Sequence, residues 1–156
     1  AEGLELFEKI FGYKSKSFIA PCYTWNPNIE ERLFEMGVIG IQGMLYQRVP
    51  GGKSIRHWMG NRNSLGQIYS IRNAFFEPTE NNRIDNEDDC LYRIKCAFRW
   101  FKPAIISSHR INFIGSIHEE NRNSNLRKFD NLLSRIIHQW PDVEFMSSDQ
   151  LFELMR

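Results

Sequence analysis

Short apolar runs alternate with helical patterns along most of this chain. Each run is too short for a helix, and strands that are separated by helices normally pair in parallel through right-handed crossovers. We therefore predict an α/β fold built on parallel strands. The predicted strands are residues 17–20, 38–41, 67–72, 104–106 and 143–146.

The predicted helices carry recognisable start and stop signals. Asn26 followed by Pro27 suits a helix start, and Gly12 and Gly37 suit helix ends. Residues 44–65 lack a clear period and contain loop chemistry. The predicted helices are residues 1–11, 27–36, 87–101, a long helix from about Arg122 to before Pro141, and 151–155. Asp85 or Asn86 is expected to cap the third helix, and residues 147–150 form the capping signal of the last one. Phe101 in the third helix and Leu126 and Ile137 in the fourth are expected to face inward.

Size and charge limit the class of protein. The chain has 156 residues, which predicts a single domain over residues 1–156, and its net charge of +1 argues against nonspecific nucleic-acid binding. Residues 1–11 begin in the middle of a helical pattern. We therefore expect the chain to be a fragment of a domain whose preceding strands are missing.

The cysteines and the hydropathy pattern bear on the cellular setting. Cys22, Cys90 and Cys96 are odd in number and form no CxxC pair, which favours reduced thiols and a cytoplasmic location. No apolar run approaches the ~20 residues that a membrane-spanning helix needs, so no membrane span is expected.

The sharpest chemical signal is a polar cluster directly after the run at 104–106. Ser107, Ser108, His109, Arg110 and Asn112 follow that run. The carboxyl ends of parallel strands face one crevice, so polar and aromatic residues that follow the other strands are expected on the same rim. These are Pro21, Tyr23, Trp25, Asn26, Gln42, Arg72, Asn73, Phe76, Glu77, Ser147 and Ser148. Aromatic rings with amide, hydroxyl and charged partners are typical of a carbohydrate site.

Each candidate has a functional and a purely structural interpretation. Imidazole exchanges a proton near neutral pH, so His109 suits proton donation to a leaving group, but it could equally bond its own loop. Trp25 and Tyr23 could line a cleft or pack in the core. Arg72 and Glu77 could bind substrate or form a structural ion pair. Arg110 and Asn112 could contact ligand or clamp the loop.

The other histidines are less informative. His57 and His118 fall in polar stretches, and His138 falls near the end of a helix, where an imidazolium complements the dipole. The chain has no HxxxH or HxH pair, so a metal site formed by this chain alone is weakly supported.

Three segments together resemble the C-terminal half of polysaccharide deacetylases of the NodB-homology (carbohydrate esterase) type. They are SFIAPCYTWN at 17–26, PAIISSHRINF at 103–113 and WPDVEFMSS at 140–148. The resemblance covers nearly the whole chain and lies mainly in the order of the segments. It implies a distorted (β/α) barrel that removes N- or O-acetyl groups from sugars, with an acetylated oligo- or polysaccharide as partner.

The resemblance also implies roles for individual residues. His109 matches the late histidine that acts as general acid. Pro21 and Tyr23 match the loop in which a backbone N–H helps to hold the oxyanion. The family uses a divalent metal, often zinc, to activate water, but no residue of this chain matches its early metal ligands, and Ile19 stands where the family usually has an Arg.

Three interpretations remain open from the sequence. The chain is part of a sugar deacetylase, or a non-catalytic carbohydrate-binding or scaffold remnant of the same fold, or a piece that completes its barrel as a homo-oligomer.

Overall fold

The protein is a mixed α/β structure in which parallel strands alternate with helices. The computed structural model describes residues 2–79 and 86–156. The chain divides into two compact units, residues 1–71 with 146–156 and residues 72–145. In chain order the elements are α1 (Glu2–Phe11), β1 (Ser17–Ile19), α2 (Ile29–Glu35), β2 (Gly40–Gly43), β3 (Tyr46–Val49), β4 (Lys53–Arg56), β5 (Ile68–Ile71), β6 (Ala74–Phe75), α3 (Asn86–Arg99), β7 (Ile106–Ser107), α4 (Glu119–Gln139) and α5 (Ser148–Met155), with 3-10 turns at Pro21–Tyr23 and Arg110–Phe113.

The first unit is built on a three-stranded parallel sheet in the order β1-β2-β5. Ser17 pairs with Gly40, and Gly40 pairs in turn with Ile68. The β1–α2–β2 segment is the predicted crossover. Gly37 follows the end of α2, and its φ of 90° suits a residue without a side chain. The described residues contain no closed barrel.

The segment between β2 and β5 contains a β-hairpin that was not predicted from the sequence. β3 and β4 pair antiparallel, and Gly51 and Gly52 in their turn have φ of 96° and 91°. The predicted loop chemistry at 50–52 and 61–64 is confirmed, but residues 46–49 and 53–56 form strands. These strands escaped prediction because YQRV and KSIR are too polar to show the apolar alternation of an ordinary strand. The glycine pair was the available signal.

Helix α5 closes against the sheet of the first unit. Its capping box is present as predicted: Ser147 Oγ accepts from Gln150 N, and Gln150 Oε1 accepts from Ser147 N. Phe152 on this helix is fully buried against Gly40 of β2. The helix is thereby tied to the strand at a point where only glycine leaves room for the ring.

The second unit pairs β6 with β7 in parallel and packs them with α3 and α4. Its buried core joins a residue of β6, the residue that follows β6, and residues of the two helices, namely Ala74, Phe76, Cys90, Leu91, Ile94, Leu132 and Ile136. The helical period correctly placed Leu91, Ile94 and Ile136 inward. Leu126, Ile137 and Phe101 are exposed instead, and Phe101 lies beyond the end of α3 with φ of 52°.

Other predicted boundaries also need correction. The run at 104–106 contributes only Ile106 to β7, and residues 143–146 form no strand, since no described strand pairs with them. α4 begins at Glu119, before the predicted start near Arg122. The proposed cap at Asp85 falls outside the described residues, and α3 begins at Asn86.

Within residues 2–79 and 86–156, no helix combines the length and apolarity needed to traverse a bilayer. The three cysteines are free.

Candidate functional site

The parallel pairing of β6 and β7 sets Glu77 beside His109. Ala74 pairs with Ile106 and Phe75 pairs with Ser107, so the two strands run in step. Both strands end at the same edge of the sheet. The two backbone segments form one further hydrogen bond beyond the strands, from Phe76 N to Ser107 O at 2.9 Å. The second residue after each strand, Glu77 and His109, then meets the other.

The Glu77 carboxylate binds the His109 imidazole at Nδ1. Glu77 Oε1 lies 2.8 Å from His109 Nδ1, and Glu77 Oε2 accepts a 3.3 Å bond from His109 N. An ionised carboxylate only accepts hydrogen bonds, so Nδ1 must donate. This leaves Nε2 as the nitrogen that exchanges protons with other molecules.

The two partners differ in their access to solvent. The Glu77 side chain is 14% exposed, whereas the His109 side chain is 61% exposed. No bond of His109 Nε2 is found within the described residues. The arrangement is therefore a mostly buried carboxylate that orients an open imidazole, which suits proton transfer to a bound molecule.

Asn112 fixes the other side of the Glu77 carboxylate. Its side chain is fully buried, and Nδ2 donates to Glu77 Oε2 at 2.6 Å, to His109 O at 2.9 Å and to Ser108 Oγ at 3.2 Å. Its Oδ1 accepts from Thr79 N at 3.1 Å. These bonds fit the clamping interpretation of Asn112, because the side chain holds its own loop and Glu77 together.

A layer of amides on α4 supports Asn112. Asn125 is buried and donates to Asn112 O at 2.9 Å and to Thr79 Oγ1 at 3.0 Å. Asn121 Nδ2 donates to the carbonyls of Ile111 and Ile114. These asparagines gave no signal in the sequence, because polar residues near the start of a predicted helix look like an ordinary solvent-exposed face, although their spacing of four is that of one helix face.

Arg72 and Ser107 lie on the strand side of the same cluster. Arg72 Nη1 donates to the buried Ser107 Oγ at 3.2 Å. Among the ion pairs of the described residues, none joins Arg72 to Glu77, whose carboxylate faces His109 and Asn112 instead. Arg110 is exposed in the turn that follows His109.

The predicted site residues divide between the two units. Arg72, Glu77, Ser108, His109, Arg110 and Asn112 belong to the second unit, and Pro21, Tyr23, Trp25 and Asn26 belong to the first.

The predicted oxyanion loop forms a tight turn. Tyr23 N donates to Ala20 O at 3.1 Å, so this N–H already has an acceptor. Cys22 and Tyr23 have φ of 49° and 55°, which is uncommon for residues with side chains and stores strain. Asn26 Oδ1 accepts from Asn28 N at 3.1 Å and shapes the entry to α2.

Trp25 lies in the core of the first unit. Its indole Nε1 donates to Glu30 Oε1 at 2.9 Å, and Glu30 Oε2 accepts from Tyr69 Oη at 2.9 Å and from Asn63 Nδ2 at 2.8 Å. Glu30 is buried with these three donors. Burial raises the pKa of Tyr69, and the nearby Glu30 charge adds to this effect. Trp25 thus follows the core-packing alternative.

His57 also belongs to this buried cluster, although the sequence placed it in a polar loop. Its ring stacks on Tyr69 with centroids 3.8 Å apart, and its Nε2 lies 2.8 Å from Gln47 Oε1. Gln47 Nε2 donates to Trp25 O, so the Gln47 atom that faces His57 is the acceptor Oε1. His57 Nε2 must therefore carry the proton. Burial lowers the pKa of His57, and the Glu30 charge opposes that shift.

The described residues do not fit a metal centre. Across 2–79 and 86–156, no group of three or more His, Cys, Asp or Glu side chains is arranged to hold an ion. In the candidate site both oxygens of Glu77 are already used by His109 and Asn112.

Comparison with known proteins adds no assignment, since no family model, no curated protein and no solved structure matches the chain.

Proposed function

We propose that this chain carries part of a polysaccharide deacetylase-like hydrolase, in which His109 transfers a proton to the sugar as an acetyl group leaves. The observation that carries the proposal is the Glu77–His109 pair, with Nδ1 held at 2.8 Å and the ring open to solvent. The ordered segments at 17–26, 103–113 and 140–148 add support, because they resemble that family.

The proton transfer follows from the orientation of the ring. When water has added to the acetyl carbonyl, the intermediate expels the sugar amine or hydroxyl, and this leaving atom needs a proton. Protonated His109 supplies it from Nε2. Glu77 keeps Nδ1 protonated and offsets the positive charge that the ring carries before the transfer. Asn112 holds Glu77 in place and is a positioning residue.

The family's reaction also uses a divalent metal to activate water. The described residues do not fit such a site. The proposal therefore assigns only proton transfer to this chain, and no step passes through a metal.

The experiment measures acetate release from N-acetylated and O-acetylated oligosaccharides by the full-length protein that contains this chain, with and without added Zn²⁺ or Co²⁺. We expect His109→Ala to lower the rate about 100-fold, the effect of removing a general acid. His138→Ala is the matched control, because His138 is an exposed histidine of the same unit. Equal rates for the two variants would remove His109 from the reaction.

A second candidate is a carbohydrate-binding module without turnover. It is favoured by the Tyr23 N–H, which is bonded to Ala20 O, and by Ile19 at the position where the family has an Arg. Acetylated oligosaccharide that binds by calorimetry, with no acetate released under any metal condition, would support this candidate over the hydrolase.

A further inference from the structure

The β3–β4 hairpin has one face turned inward and one turned to solvent. Gln47 and His57 are buried on the inner side. Tyr46 pairs with Arg56 and Arg48 pairs with Ser54, and residues directly opposite each other in an antiparallel pair lie on the same face. These four residues and Trp58, two residues beyond Arg56, form what we call the hairpin face.

The hairpin face presents two aromatic rings to solvent. The side chains of Tyr46 and Trp58 are 51% and 53% exposed. The Arg56 guanidinium carbon lies 4.0 Å from the centroid of the Trp58 ring, within the range of a cation–π contact. This contact orders both side chains before any ligand arrives, which lowers the entropy lost on binding.

The hairpin carries positive charge and has no carboxylate of its own. The sequence has no Asp or Glu between Glu35 and Glu77. Within the described part of the chain, no ion pair involves Arg48, Lys53 or Arg56. The charge of the hairpin is therefore available to an anion, although the whole chain is close to neutral.

We propose that the hairpin face binds a carboxylate-bearing sugar chain. A sugar ring stacks on Trp58 or Tyr46, and the guanidinium groups of Arg48 and Arg56 bind the carboxylates, the geometry for which arginine is suited. The choice of a sugar chain as the ligand rests on the proposed function. The inference that the hairpin face binds an anionic ligand does not depend on that function.

Single-stranded nucleic acid is the competing polyanion, because bases also stack on aromatic rings. Its affinity comes mostly from many phosphate contacts made together. The hairpin offers only Arg48, Lys53 and Arg56 for such contacts. These few cations next to two rings favour a ligand with sparse charge and broad apolar ring faces.

The test titrates the whole chain with a galacturonate hexasaccharide, followed by calorimetry and tryptophan fluorescence. We expect Trp58→Ala and Arg56→Gln each to weaken binding about 10-fold or more, the scale of losing one ordered cation–π or charge-assisted contact. Trp100→Ala and Arg99→Gln are the matched controls, since both residues are exposed at the end of α3 in the other unit. The controls should bind as the native chain does.

Three results would overturn the proposal. They are no binding of the galacturonate hexasaccharide, equal binding of neutral maltohexaose, and equal losses in the hairpin and control variants. A single-stranded oligonucleotide that binds more tightly, and depends on Trp58, would reassign the face to nucleic acid. Circular dichroism of each variant separates lost contact from lost folding.

The outcome is independent of the hydrolase assay. If acetate is released but Trp58 does not matter for galacturonate binding, the hairpin proposal fails and the proposed hydrolase stands. If binding depends on Trp58 and no acetate is released, the hydrolase fails and the hairpin face stands.

Discussion

Glu77 and His109 are 32 residues apart in the chain, yet Glu77 Oε1 lies 2.8 Å from His109 Nδ1. The same separation of 32 relates Ala74 to Ile106 and Phe75 to Ser107 in the strands that precede them. The contact is therefore a continuation of the strand register beyond the sheet. Any change that shifts this register would separate the carboxylate from the imidazole.

Glu77→Gln should reverse the proton arrangement of His109. Glu77 Oε2 accepts two bonds, from Asn112 Nδ2 and His109 N, so the amide oxygen of Gln will take that position. The amide NH₂ then faces His109 Nδ1, which must accept and move its proton to Nε2. In ¹⁵N spectra of the neutral ring, we expect Nδ1–H in the native chain and Nε2–H in the variant.

The same variant tests the proposed reaction. A ring in the wrong tautomer transfers protons poorly, and loss of an orienting partner costs about 10-fold to 100-fold. Acetate release should fall by this factor. Glu144→Gln, an exposed carboxylate of the same unit, should change neither the spectrum nor the rate. A native spectrum in Glu77→Gln would show that Glu77 does not set the tautomer.

Asn112→Ala should destabilise the second unit. The change removes a fully buried amide, leaves Thr79 N without its acceptor, and takes away one of the two donors to Glu77 Oε2. Unsatisfied buried groups cost about 1–3 kcal/mol each, so we expect a loss of about 2–4 kcal/mol in the free energy of unfolding in urea. Gln139→Ala at the exposed end of α4 should lose less than about 0.5 kcal/mol. Comparable losses would mean that the Asn112 bonds contribute little.

Local pattern was sufficient to find most helices and the strands near residues 17–20, 38–41 and 67–72. The stop signals at Gly12 and Gly37 and the cap at Ser147 depend only on neighbouring residues, so the sequence reveals them directly. The segment at 143–146 has a similar local pattern and forms no strand. A strand requires a second strand to pair with, and the local sequence does not indicate whether such a strand lies beside it.

The candidate site shows the same limit. His109 was predictable from a polar cluster after an apolar run, and Glu77 from its place after another strand. That the two meet, and that Asn112 rather than Arg72 secures Glu77, depends on the β6–β7 register and on α4. His57 gave no signal, because its burial follows from the alternation within a polar hairpin.

The stability of the first unit should depend on pH through His57. Its folded pKa is lowered from 6.5, chiefly by burial, while Glu30 partly opposes the shift. Below about pH 6.5 the unfolded chain therefore binds more protons than the folded chain, and the free energy of unfolding falls as the pH falls. The contribution is fully present above pH 6.5. Urea unfolding between pH 7.5 and pH 5 should show a shallower decline in His57→Gln than in the native chain, since all other groups are shared. Parallel curves would exclude His57 as the source.

Gly40→Ala should be costly because a Cβ there would overlap the ring of Phe152. Phe152 is fully buried and its ring belongs to α5, so neither side can yield without opening the contact between β2 and the helix. Overpacking of this kind costs about 1–3 kcal/mol or more in the free energy of unfolding. Gly3→Ala is the matched control: nothing lies within 4 Å of its added Cβ, and alanine in helix α1 should be neutral or stabilising by up to about 1 kcal/mol. Adding Phe152→Leu to Gly40→Ala should recover part of the loss, because the smaller side chain makes room for the methyl group. If the double variant is instead as unstable as the sum of the two single changes, the two residues do not interact.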